Sequence, residues 1–192
     1  MRRTAHFLGL VSLATVTACA AMSVNAYFDP QSDYASYRTY RWEPAESPPT
    51  GDPRLDASPF FDSRVRSSVE RELATKGLQQ VASDSADLLV HYHVSIRDQV
   101  EVFSVDSEYG YEFGPEDQVH EYEEGTLVLD IVDARSARVI WRGWVKTDVE
   151  GVVGNPQKME QRIEKAVRLM LERLPAVSQG ADIPDTAGSR AQ

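Results

Sequence analysis

The sequence predicts an α+β fold, a two-layer sandwich in which a mostly antiparallel sheet carries two amphipathic helices on one face. Two segments repeat apolar residues at helical spacing, each behind a polar residue and a proline. A stretch from Leu88 to Arg97 alternates apolar and polar residues, as a half-buried strand does. Two further alternating runs flank the short polar connection Asp133-Ala134-Arg135-Ser136-Ala137, the pattern of an antiparallel hairpin. Helices and strands that are each apolar on one side bury themselves most simply against each other in two layers.

The elements follow in order. Ser23 to Phe28 reads as a first strand closed by Asp29-Pro30, and Tyr34, Tyr37, Tyr40 and Trp42 lie in a second extended segment. Pro44 to Asp56 is rich in proline and small polar residues, which predicts an irregular surface loop. Ser58-Pro59 supplies an N-cap and a first-turn proline for a helix whose stripe is Phe61, Val65, Val69 and Leu73. Gly77 stands where a helix-ending glycine belongs.

Leu88, Val90, Tyr92, Val94 and Ile96 then form one face of a strand, with His91, His93 and Arg97 on the other. Ser104 to Glu124, with two glycines, a proline and many carboxylates, predicts a long loop or an excursion flanking the strands. Thr126 to Val132 and Arg138 to Lys146 make the hairpin. Leu127, Leu129 and Ile131 share one face, and Val139, Trp141, Gly143 and Val145 share a face of the partner strand. Trp144 therefore points away from Trp141. Asn155-Pro156 opens the last helix, whose stripe runs from Met159 through Ile163, Ala166, Val167, Met170 and Leu171 to Leu174. Glu164 and Arg168 form an i,i+4 pair on its polar side, and Pro175 ends it.

The N-terminus carries a different signal. Arg2 and Arg3 precede an apolar run from Phe7 to Val16 that is too short to span a bilayer, and small residues lead to Cys19, the one cysteine of the chain. Val16-Thr17-Ala18-Cys19 resembles a bacterial lipobox, which implies cleavage before Cys19 and its lipidation. An ordinary secretory leader with an incidental cysteine is the alternative. The expected organisation is a signal peptide over 1–18, a lipid anchor and short tether over 19–22, one domain over 23–175, and a disordered tail over 176–192. Ala20 after the cysteine implies sorting to the outer membrane, facing the periplasm.

Composition narrows the partners. The formal net charge of −10 becomes more negative by two once Arg2 and Arg3 leave with the leader. So acidic a chain argues against nucleic acid and against a peripheral grip on anionic lipid, leaving the acyl chains as the attachment. About 170 residues remain, enough for one domain with a real core. With Cys19 lipidated, no disulfide can support that core.

Ala26-Tyr27-Phe28-Asp29-Pro30, then Asp33 to Trp42, resemble the opening of an uncharacterised lipoprotein family, domain of unknown function 4136. Gly125 to Asp130 and Val139-Ile140-Trp141-Arg142-Gly143 resemble its later hairpin, and the order of elements fits up to Pro175. The resemblance implies an envelope lipoprotein domain and no known activity.

Little chemistry is visible. No Gly-x-Ser-x-Gly elbow occurs, and Gly151-Val152-Val153-Gly154 is too short for a phosphate loop and lacks its lysine. His120-Glu121 begins like a zinc-protease helix, but Glu124 stands where the second histidine belongs. His91 and His93 share a strand face, where they could chelate a transition metal with His120 or a loop carboxylate, or simply form a polar face. Asp130 and Asp133 near the hairpin turn read as paired carboxylates or as ordinary turn acids. Tyr109, Tyr111, Phe113 and Tyr122 interleave with acids, which suits a protein contact, a cationic ligand or local packing on the sheet. The expectation is a non-catalytic, cofactor-free, lipid-anchored domain that binds an envelope protein or glycan, with Tyr109, Tyr111 and Trp144 as contacts. The alternative is a small-ligand or transition-metal-binding lipoprotein that uses the His91 and His93 face.

Overall fold

The computed structural model describes residues 22–43, 52–58, 60–103 and 118–177. Ten elements follow one another: β1 (Met22–Phe28), a 3-10 turn (Tyr34–Ser36), β2 (Thr39–Trp42), α1 (Pro53–Asp56), α2 (Phe61–Thr75), β3 (Gln79–Gln80), β4 (Leu88–Phe103), β5 (Gln118–Asp133), β6 (Arg138–Asp148) and α3 (Pro156–Leu171). The strands form one open sheet of order β1-β6-β5-β4-β2-β3. β1, β6, β5 and β4 pair antiparallel, whereas β2 lies parallel to β4 and β3 parallel to β2. The fold is therefore α+β with a mostly antiparallel sheet.

Alternation places Val90 and Tyr92 of β4, Leu129 and Ile131 of β5, and Trp141 and Val145 of β6 on one face, all buried. The stripes of α2 (Val65, Val69, Leu73) and α3 (Ile163, Val167, Met170, Leu171) close over them in one core cluster. Both helices cover the same face. α2 ends as its glycine requires. Gly77 takes φ +84, its N–H donates to the Ala74 carbonyl, and the Leu78 N–H donates to the Leu73 carbonyl. Asn155 caps α3, its Oδ1 accepting from the Lys158 N–H at 3.0 Å, with Pro156 in the first turn.

Several expectations need correction. α2 starts at Phe61 with Phe60 as its N-cap and no side-chain cap bond, so Ser58 does not cap it; Pro59 lies outside the described residues. The cap-and-proline device works one element earlier, where Asp52 accepts from the Arg54 N–H at 2.8 Å and Pro53 opens α1 inside the stretch expected to be loop. The rest of that stretch, 44–51, lies outside the described residues. Gln118 to Glu124 belong to β5 rather than to a loop, because they pair with β4 from Arg97 to Phe103. Met22, assigned to the tether, pairs with Thr147 as the first residue of β1.

The hairpin face breaks near its turn. A bulge between Ile131 and Val132 inserts an extra residue, so Ile140 turns inward and is buried while Val139 is exposed. Glu164 reaches across to Arg71 of α2 at 2.9 Å, and Arg168 pairs instead with Glu172 at 3.1 Å. Val177 is buried in the core cluster, so the domain runs past Pro175; 178–192 lie outside the described residues.

Candidate functional site

The face of the sheet opposite the helices is covered by no described element. It carries the alternate residues of every long strand, and the pairings set them in rows. One row crosses four strands: Tyr27 pairs with Arg142, Arg142 with Asp130, and Asp130 with His91. Trp42 pairs with Val90 in the parallel β2–β4 ladder, so Glu43 follows beside His91. The next row is Asn25, Trp144, Val128 and His93.

Asp130 is the anchor of the first row. Its side chain is only 1% exposed although it lies on the open face. Arg142 grips it with two bonds, Nε to Oδ1 at 2.5 Å and Nη2 to Oδ2 at 2.6 Å. His91 Nε2 stands 3.1 Å from Oδ2 on the other side. Glu43 Oε2 lies 3.1 Å from His91 Nδ1, off hydrogen-bond geometry, so that contact is ionic only. Charges thus alternate along the row: guanidinium, carboxylate, imidazole, carboxylate.

Titration follows this geometry. Asp130 holds the His91 imidazolium, and Glu43 adds to it, so the His91 pKa is raised despite partial burial. Burial is the largest single influence on Asp130 and pushes its pKa up, but the bonds and charges of Arg142 and His91 together carry it below the ordinary carboxylate range. Asp130 in turn raises the pKa of Arg142. The row favours its fully ionised state.

The sequence-predicted residues fall unevenly. His91 and His93 do meet, with ring centroids 5.4 Å apart, but His91 is already engaged by two carboxylates. His120 lies far along β5, opposite Glu101 and stacked on Tyr122, and does not join them. Among the described residues no group of three His, Cys, Asp or Glu is placed to hold a metal ion. Trp144 is half-buried on the open face, while Trp141 is fully buried in the core. Cys19, Tyr109 and Tyr111 lie outside the described residues.

Asp130 and Asp133 are not a pair. The bulge separates them, and Asp133 accepts instead from the Tyr37 hydroxyl at 2.7 Å and from the N–H groups of Arg135 and Ser136. Sequence reading missed the Arg142–Asp130–His91 row. Its signal was present in part, since Asp130 alternates with Leu129 and Ile131 and so had to face outward. Among the described residues no helix is long and apolar enough to cross a membrane.

Comparison with known proteins gives the family. Residues 24–176 match the domain of unknown function DUF4136, and the chain belongs to that family. No curated protein matches the sequence. A PDZ domain protein from Parabacteroides distasonis is similar in structure with TM-score 0.50 and 13% identity, over 82% of this chain and 37% of that one. The chain thus spans little more than a third of that protein's length. A DUF4136 family protein from Bacteroides thetaiotaomicron gives TM-score 0.48 and 13% identity over 82% of this chain and 98% of its own. PelC from Paraburkholderia phytofirmans, solved as a dodecamer, gives 0.46 and 10% over 79% and 96%. At such identities the likeness concerns the fold alone.

Proposed function

We propose that this DUF4136 family member is a non-catalytic envelope lipoprotein whose domain binds another envelope protein or glycan through the open face of its sheet. Acyl chains on Cys19 hold it in the outer membrane, facing the periplasm. One observation carries the reading: the face that no described element covers bears a charge-balanced row built around one buried carboxylate, beside a row that holds Trp144. A carboxylate that is 1% exposed, fixed by Arg142 and His91, keeps polar groups in set positions instead of leaving them to solvent. Trp144 in the neighbouring row and Tyr27 at the edge, 60% exposed, flank it. Arginine and large aromatics beside each other are the residue types that carry most binding energy at interfaces.

The anchoring half rests on the lipobox resemblance and on the short path from Cys19 to the sheet. Met22 is already paired in β1, so three peptide steps, about 10–11 Å when extended, tether the domain. Two or more acyl chains hold a protein stably where one does not. The test of the binding half is a double variant, Arg142→Ala with Trp144→Ala, expressed at wild-type level in cells lacking the native protein. The variant is expected to reproduce the phenotype of the deletion. Full complementation by a folded double variant would overturn the open-face reading.

A further inference from the structure

The two edges of the sheet are built differently. One ends in β3, which is two residues long and offers almost no free ladder. The other is β1, seven residues of sequence MSVNAYF, with no charge, proline or glycine and no bulge in its pairing with β6. Natural edge strands of that length are usually blunted by charge, proline or bulges, because bare peptide groups recruit another strand. Nothing of the kind protects β1. Two of the large exposed hydrophobic residues also sit at its end, Tyr27 at 60% and Phe28 at 48%.

The direction of each peptide group is fixed. The Asp29 N–H donates to the Ile140 carbonyl at 2.7 Å, and in an antiparallel ladder every second residue turns the same way. Tyr27, Asn25 and Ser23 therefore direct their peptide groups to β6. Met22, Val24, Ala26 and Phe28 present theirs outward.

We infer that β1 pairs antiparallel with β1 of a second copy of this chain, about a two-fold axis at Asn25, joining two sheets edge to edge. This register alone uses all four outward residues, Met22 opposite Phe28 and Val24 opposite Ala26, each pair occurring twice. It places exposed Phe28 against half-buried Met22 of the second copy on the helix side, and Tyr27 opposite Ser23 on the open side. Although the whole chain carries −10, the paired segments are uncharged, so two copies meet without like charges in contact. A two-fold contact of this kind is closed and stops at the dimer. Once the leader is removed, the three residues before Met22 are too few to turn back and cover the edge themselves. The pairing requires neither an open-face partner nor a metal.

The test uses the full chain purified from membranes in mild detergent. Asn25→Cys places two cysteines directly opposite each other, at a non-hydrogen-bonded position with Cα atoms about 4.5 Å apart, within disulfide reach. Mild oxidation is expected to give a covalent dimer. Ser23→Cys faces Tyr27 of the second copy and is expected to give none, nor is the unsubstituted chain with Cys19 alone. Ala26→Pro deletes an outward N–H that β6 does not use and is expected to yield monomer by light scattering. Phe28→Glu serves the same end without touching the backbone. An unsubstituted chain that is monomeric at every concentration tested would overturn the pairing. So would equal crosslinking at positions 23 and 25, or a dimer unaffected by both edge variants. A monomer whose outward amides, those of Val24, Ala26 and Phe28, are nevertheless protected from exchange would also overturn it, since the edge would then be covered within a single chain.

Discussion

Replacing Asp130 by asparagine keeps the shape of the side chain and removes the charge that orders the row. In the native protein Arg142 makes two charge-assisted bonds to a carboxylate that is 1% exposed, and His91 stands 3.1 Å from the same group. Removing one partner of a fully buried pair costs about 3–5 kcal/mol. Here Arg142 is half exposed and can turn toward water, and asparagine still offers one acceptor, so the loss is expected to be about 2–3 kcal/mol. At about 2–4 °C per kcal/mol for a domain of this size, Tm should fall by about 4–12 °C.

The pH dependence carries a sign. His91 has a raised pKa, so its contribution is complete below its ordinary value of 6.5 and is lost as pH rises through the folded value. Asp130 has a lowered pKa, so its contribution is present above 3.8 and is lost as pH falls through the folded value. The gap between native and variant stability should therefore be widest between 3.8 and 6.5 and narrow on both sides. It does not close at alkaline pH, where Arg142 and Asp130 remain paired. Thermal unfolding across pH measures the gap, and NMR titration of the His91 ring reports the local change, expected as a fall in its pKa. An unchanged Tm with an unchanged His91 titration would refute the account of the row.

Other predictions concern the core and the anchor. Gly143→Ala should cost about 1–3 kcal/mol, because a Cβ there would overlap the Trp141 indole and force that buried ring aside; thermal unfolding with near-UV circular dichroism reads both effects. Leu171→Asp sets a charge at a fully buried position of α3 and should lower stability by several kcal/mol, seen as a large loss of Tm or of soluble protein. Cys19→Ser should release the protein from membranes without lowering its Tm, since the core cluster begins beyond residue 21; fractionation in high salt together with a melting curve checks both.

How much of this was legible varied with the range of the interaction. The α3 stripe, the Asn155 cap, the Gly77 stop and the alternation in β4, β5 and β6 from Trp141 onward depend on neighbours in sequence, and these read correctly. The start of α2 did not, because Ser58-Pro59 and Asp52-Pro53 carry the same signature and only packing decides between them. β3 is two residues long and owes its existence to β2 beside it, a contact no local pattern encodes. The bulge at Ile131 exchanges the roles of Val139 and Ile140, two residues of equal hydrophobicity that periodicity alone cannot order. The Arg142–Asp130–His91 row needs two strand registers at once. The β5–β6 register follows nearly from the hairpin, but the β4–β5 register is set across a long connection. Asp130 could thus be placed outward from sequence, yet not between its partners.

The most direct test of the open-face reading is in-cell photo-crosslinking from Trp144 and His93 on the open face, with Arg173 beyond α3 as the control. The account predicts a discrete, reproducible adduct from the first two positions and none from Arg173. Adducts from Arg173 alone, or none from the sheet positions in a folded and correctly anchored protein, would contradict it.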